Sequence, residues 1–188
     1  MTTGIADPRE ELVEHLPALR AFALSLTRNG TRADDLVQET LMKAWSKIDR
    51  FQPGTNLRAW LFTIQRNTFY SERRKAAREV EDVDGIYSEG LASKPDHDGR
   101  LALADFKRAF NQLKDEQREA LILVGASGFS YDEAAEMCGV ATGTIKSRAN
   151  RGRKRLIELL GLEENDPLEM TDRATMAILH TQGAGAVR

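Results

Sequence analysis

Apolar residues recur along most of this chain at intervals of three and four, the period of helices with one buried face. Leu12, Leu16, Leu19, Phe22, Ala23 and Leu26 draw such a stripe through residues 9–28, with a bend expected at Pro17. Asn29-Gly30-Thr31 breaks the pattern, and Ala33, Val37, Leu41, Ala44 and Ile48 predict a second helix over 32–49. Pro53-Gly54 marks a loop. Thr55 or Asn56 can then cap a third helix over 57–78, with Leu57, Trp60, Leu61, Ile64 and Thr68 turned inward. Residues 79–100 lose the stripe, and their glycines, Pro95 and many acids predict a mostly disordered linker. The stripe resumes with Leu103, Phe106, Phe110 and Leu113. Asp115 can cap a helix burying Ala120, Leu121, Leu123 and Val124. Beyond Gly161 the pattern is weak: Met170, Ala174, Ala177 and Ile178 suit a short helix, and 180–188 read as disordered. The fold class is therefore all-α. Two small helical domains, 9–78 and 101–160, are joined by a flexible acidic linker, and the C-terminal extension 161–188 is largely disordered.

The stretch FSYDEAAEMCGVATGTIKSRANRGRKRL, from Phe129 to Leu156, reads as a helix, a tight turn and a second helix. Ser130 with Glu133 three residues on is a capping-box start. Gly139 suits a helix stop, and Thr142 can cap the next helix. Ala135, Gly139, Val140 and Ile145 are small or apolar enough to let two helices cross closely. The second helix carries Lys146, Arg148, Arg151, Arg153, Lys154 and Arg155 and no acid from Thr142 to Arg155. A helix that packs on one side and presents cations on the other suits a DNA major groove.

Charge sharpens this picture. Net charge over the 188 residues is only −2, so any nucleic-acid affinity must come from local patches. Residues 57–78 hold Arg58, Arg66, Arg73, Arg74, Lys75 and Arg78 against Glu72 alone. Residues 79–100 hold Glu79, Glu81, Asp82, Asp84, Glu89, Asp96 and Asp98 against Lys94 and Arg100. Two basic blocks around an acidic spacer suggest two DNA contacts on one tether, which at full extension spans about 73 Å. Cys138 is the single cysteine, which excludes an intramolecular disulfide and suits a small buried position. His15, His97 and His180 are scattered, no apolar run nears 18 residues, and the N-terminus is polar. A cytoplasmic protein with no membrane contact is expected. No paired carboxylates, metal cluster or nucleophile constellation points to an enzyme, a cofactor or a small-molecule ligand.

Three stretches in this order resemble the extracytoplasmic-function (group IV) sigma factors of bacterial RNA polymerase. ADDLVQETLMKAW at 33–45 is similar to the family's polymerase-binding helix. LRAWLFTIQRNTFYSERRK at 57–75 is similar to its −10-reading helix, and the helix-turn-helix to its −35 reader. The last motif, with EAAEMCGVATGTIKSR, is most like the general-stress-response sigma factors of alphaproteobacteria. The resemblance implies sigma region 2 at 9–78, sigma region 4 at 101–160, and no catalysis by this chain. It also implies three partners: core RNA polymerase, through its β′ clamp helices and β flap; promoter DNA; and an anti-sigma factor.

Residue roles follow on the same terms. Helix 32–49 presents Asp34, Asp35, Gln38, Glu39, Met42 and Lys43, a mixed-charge face with an apolar residue that suits a protein partner. On pattern alone such a face is more often plain solvated surface; the resemblance assigns it to the polymerase. Promoter opening requires unstacked bases to be held by rings, amides and cations. Phe51, Asn56, Arg66, Asn67, Tyr70, Arg73 and Arg74 are the −10 candidates. Asn67 falls at a family contact position, and the loop before this helix would hold a flipped base. Trp60 is expected in the core. Lys146, Ser147, Asn150 and Arg151 are the −35 base readers, while Thr144, Arg148, Arg153 and Lys154 hold phosphates. The rival reading is a stand-alone helix-turn-helix regulator, for which residues 33–75 would have no use.

Overall fold

Asn29 decides where a 17-residue helix of the N-terminal half begins. Its backbone is extended and its side chain accepts the Arg32 N–H at 3.0 Å, so the expected break between helices is present and Asn29 caps the second of them. In the computed structural model, which describes residues 8–81 and 98–162, this helix is α3 (Gly30–Ser46). It is preceded by α1 (Pro8–Glu11), a 3₁₀ turn (Leu12–His15) and α2 (Leu16–Thr27). The single bent helix expected over 9–28 is thus three segments. Pro17 sits in the first turn of α2, where a missing N–H costs no hydrogen bond. A 3₁₀ turn (Ile48–Arg50) leads to the loop before α4 (Leu57–Glu81), which Asn56 caps through its oxygen on Ala59 N–H at 3.1 Å.

α2, α3 and α4 pack around Leu19, Phe22, Ala33, Leu36, Leu61 and Phe62. Leu36 and Thr40 belong to the buried face of α3, and Leu41 is only partly covered, a rotation of the expected stripe. Buried polar groups are mostly matched: Thr40 donates to Leu36 O at 2.6 Å, and Gln65 donates to Leu19 O at 3.0 Å.

The C-terminal half comprises α5 (Asp98–Asn111), α6 (Asp115–Leu121), α7 (Tyr131–Cys138) and α8 (Thr142–Leu160). Helix occupies 79–81 and 98–100, so the described chain narrows the expected linker at both ends; residues 82–97 lie outside the described residues. The expected short helix near Met170 and the tail after it also lie outside them. Asp115 is the first residue of α6 and Lys114 its extended cap position; the Gln117 side chain accepts the Lys114 N–H at 3.3 Å. α6 runs on as a wide π turn, Ile122–Ala126, closed by Ser127 N–H on Ile122 O at 2.7 Å.

The capping box of α7 is as expected: Ser130 Oγ accepts Glu133 N–H at 3.1 Å and Glu133 accepts Ser130 N–H at 2.8 Å. Gly139 follows with φ of 65°, the left-handed stop that a Cβ would disfavour. Thr142 does not cap α8. Ala141 holds the cap position, and Thr142 Oγ1 instead donates to Asp132 of α7 at 2.6 Å, tying the two helices of the motif together.

The two halves are packed on one another. Phe22 stacks on Phe62 with centroids 4.8 Å apart, and Phe62 meets Phe129 edge-on at 5.1 Å. This row of rings makes one continuous core of both halves. Each such ring contributes roughly 1.5–3 kcal/mol by leaving water.

Within the C-terminal half, Gly152 lets α8 press on α6. A Cβ there would lie 3.0 Å from Leu121 Cδ1 and 3.3 Å from Gln117 Cβ, which is too close to the α6 backbone to swing away. Gly152→Ala should therefore lower the melting temperature, crowding outweighing the ~1 kcal/mol helix advantage of alanine. Gly143→Ala, which meets nothing within 4 Å, should not lower it. Thermal melts by circular dichroism read both.

Candidate nucleic-acid interface

α8 carries a one-signed charge on its exposed side. Ile145, Ala149, Gly152 and Leu156, at spacings of four, three and four, bury one stripe of it. That leaves Lys146, Ser147, Asn150, Arg151 and Lys154 in solvent, with Thr144, Arg148 and Arg153 half-covered at the edges. Arg151 Nε donates to Ser147 O at 3.3 Å, and Lys146 lies over the Tyr131 ring at 5.6 Å. The sequence-predicted −35 residues are therefore brought together on one helix face. The Asp132–Thr142 bond that fixes this helix has no local signal in the sequence, because neither residue is at a cap.

The −10 candidates on α4 divide. Asn67 and Arg74 are exposed. Arg66 and Tyr70 are not: Arg66 is 18% exposed and donates to Glu119 of α6 at 2.7 and 3.5 Å, and Tyr70 Oη reaches the same carboxylate at 3.4 Å. Glu119 is only 1% exposed. Burial raises its pKa against the opposing pull of Arg66. Burial, then the Glu119 charge, push the Tyr70 hydroxyl up to about 12. Arg73 pairs with Asp115, which also accepts from Arg28 and Arg118 at 2.8 Å each. Partial burial works against ionisation of Asp115, but Arg73 and Arg118 hold it below the usual carboxylate range. Arg118 in turn donates to Ser25 O at 2.6 Å across the two halves.

The loop before α4 is also divided. Phe51 is buried against Trp60, centroids 5.5 Å apart, so its ring is core and not open to a base. Asn56 is exposed and donates to Glu133 at 3.1 Å. Beside it lies a pocket of about 390 Å³ lined by Glu11, His15, Gly54, Asn56 and Arg58. Burial, then the Arg58 charge, lower the His15 pKa, which favours the neutral imidazole in this pocket. Arg58 lies 5.5 Å over Phe62 and 5.1 Å over Phe129.

On α3, Asp34 is held by Arg20 at 2.7 Å, and Glu39 by Lys43 at 2.7 Å. Asp35, Gln38 and Met42 face solvent, Met42 being 72% exposed. Trp45, 59% exposed, extends this apolar edge, and Arg9 lies over its ring at 5.6 Å. Trp45, three positions from Met42 and off the buried stripe, is not among the sequence candidates although it is exposed beside them. Glu39 also shares a hydrogen bond with Glu72 of α4. Cys138 is buried, and burial followed by the Glu119 charge push its thiol up to about 12, which leaves it unreactive. Among the described residues no group of three or more His, Cys, Asp or Glu can hold a metal, and no helix is long and apolar enough to cross a membrane.

Comparison with known proteins finds two family matches along the chain. Residues 12–79 match the family Sigma-70 region 2, and residues 103–156 match Sigma-70, region 4. The ECF RNA polymerase sigma factor EcfG of Rhodopseudomonas palustris (strain TIE-1) is 56% identical over 85% of this chain and 90% of that protein. RNA polymerase sigma factor CarQ of Myxococcus xanthus is 32% identical over 84% and 92%. The sigma factor RpoE of Bartonella quintana, solved in complex with the anti-sigma factor NepR, is 59% identical, with a TM-score of 0.74 over 82% of this chain and 96% of that one. The chain belongs to the ECF RNA polymerase sigma factors, of the alphaproteobacterial kind.

Glu72, beside Glu39, titrates near neutrality. Partial burial, then the bond to Glu39, raise Glu72 to about 7 from an ordinary 4.5. A raised carboxylate pKa means that the folded state favours the proton. That stability is full below the ordinary value and lost as pH rises through about 7. Glu72→Gln keeps the neutral form throughout. It should melt slightly higher than the unmodified chain at pH 8, and the gap should narrow as pH falls and close below the ordinary value of 4.5. It stays small because Glu72 is largely exposed. Paired thermal melts across that range check it.

Proposed function

We propose that this ECF sigma factor carries core RNA polymerase to promoters with −35 and −10 elements, its α3 face gripping the β′ clamp helices. The observation that carries the reading is the sorting of charge between surfaces. α8 exposes cations without an acid from Thr142 to Arg155, whereas α3 offers Asp35, Gln38, Met42 and Trp45, a mixed face suited to protein. A stand-alone regulator needs the first surface and not the second. In this reading α8 enters the −35 major groove, with Lys146, Ser147, Asn150 and Arg151 at base edges and Thr144, Arg148, Arg153 and Lys154 on phosphates. α4 and the pocket beside Asn56 handle the melted −10 strand. The genes served are those of a stress response, and the chain works in the cytoplasm without a catalytic step of its own. An anti-sigma factor holds it off the polymerase; the Bartonella quintana relative was solved bound to one.

Run-off transcription with purified core enzyme tests the function. The unmodified chain should initiate at defined sites, and reversing Asp35 and Glu39 to lysine should weaken core binding by roughly tenfold or more without loss of helicity. Normal transcription by that variant would remove the polymerase role from α3. Excess core enzyme should also displace the anti-sigma factor, and a stable three-way complex would exclude competition.

Base reading is tested separately. Arg151→Ala should cost about 1–3 kcal/mol at the −35 element and relax preference at one base pair. Arg153→Ala should weaken all sequences alike and flatten the salt dependence. Gel-shift titrations on a set of −35 variants distinguish the two; a uniform loss from Arg151→Ala would make Arg151 a phosphate contact.

A further inference from the structure

We propose that α6 acts as an internal stand-in for nucleic acid, its Asp115 and Glu119 carboxylates covering the −10-reading face of α4 until the two halves part. The proposal rests on the assignment of that face to −10 reading made above.

The bonding is the kind a phosphate would receive. Glu119 takes two N–H bonds from Arg66 and one O–H bond from Tyr70. Arg guanidinium forks onto carboxylate and phosphate oxygens with the same geometry. Asp115 occupies Arg73 in the same way and draws in Arg28 from the end of α2. Three of the side chains assigned to the melted strand are thus engaged by one seven-residue helix. A DNA strand and α6 cannot hold them together.

The closure is built to be reversible. Around the Phe62–Phe129 contact the junction is polar, and junctions of that kind within a chain ordinarily permit relative motion. It also carries a cost. Arg58 Nε is buried with no hydrogen-bond partner while its guanidinium lies against both the Phe62 and the Phe129 rings. Parting the halves returns that group to water.

The cover is selective. α8 keeps Lys146, Asn150 and Arg151 in solvent, and α3 keeps Asp35 and Met42 there. The closed chain therefore presents its −35 reader and its polymerase face while Arg66, Tyr70 and Arg73 of its −10 face are engaged by α6. Apparent affinity for a single strand falls by the fraction of molecules that are open.

The test uses the full chain with spin labels at Lys47→Cys and Arg155→Cys, one in each half and both exposed, leaving the buried Cys138 unlabelled. The free protein should give one narrow distance distribution. Glu119→Gln with Asp115→Asn should broaden and lengthen it. Binding of a fluorescent 12-nucleotide single strand of randomised sequence should tighten by roughly tenfold in the same variant. Asp115→Asn alone, at the rim of the contact, should move both readouts in the same direction with less risk to folding. A distribution already broad in the unmodified chain, or unchanged in both variants, overturns the closure. Adding Arg66→Ala to the opened variant should leave the distance alone and remove the gained affinity. A gain that survives Arg66→Ala overturns the role of the covered face while leaving the closure standing.

Discussion

Two adjacent residues of opposite charge, Arg118 and Glu119, lie almost wholly inside the protein. Buried charges are tolerated only when paired and hydrogen-bonded. Arg118 finds Ser25 O, Leu113 O and Asp115; Glu119 finds Arg66 and Tyr70. Most of those partners lie in the other half of the chain. The pair therefore fixes α6 against α2 and α4 at once, since moving it outward would strand two charges or rewet them. The aromatic row Phe22–Phe62–Phe129 sets how close the halves come, and the charged pair sets their angular register. Leu26 and Phe69 line a groove of about 610 Å³ among α2, α3 and α4, and Asp115 of α6 reaches its rim beside Arg28 and Arg73.

Arg28 shows how local geometry serves this contact. It ends α2 in the left-handed region, φ of 58°, where a residue with a Cβ is uncommon. Its N–H still closes the helix on Leu24 O at 2.9 Å, and its guanidinium reaches Asp115. The turn that separates α2 from α3 thus also delivers a cation to the other half.

Much of this was legible in the sequence, and the reason differs by feature. The α7 start, the Gly139 stop and the one-sided charge of α8 are local, so spacing reveals them. The α3 stripe was legible to within a rotation: Leu36 and Thr40 face inward because α2 and α4 cover α3 from two sides, whereas a simple stripe assumes one. Thr142 and Asp115 look like caps but stand one position inside their helices, an offset that only backbone geometry settles. Phe51 looked like a ring for stacking because it sits in a loop, yet Trp60 covers it. The contacts of Arg66, Tyr70 and Arg73 were illegible for a plainer reason. Their partners lie 42 to 53 residues away, and no periodicity links positions across a linker.

That sequence separation also has a consequence in time. The N-terminal three-helix unit is complete once α4 has left the ribosome, but Glu119 follows Arg66 by 53 residues. At about 5–20 residues per second, roughly 3–10 seconds of synthesis pass before α6 arrives. For that interval the nascent chain carries the edge of Phe62 and the guanidinium of Arg66 without their native neighbours, beside a ribosome made largely of RNA. The acidic stretch 79–100 emerges within the same interval, behind the basic part of α4, and brings negative charge close to that helix before α6 arrives.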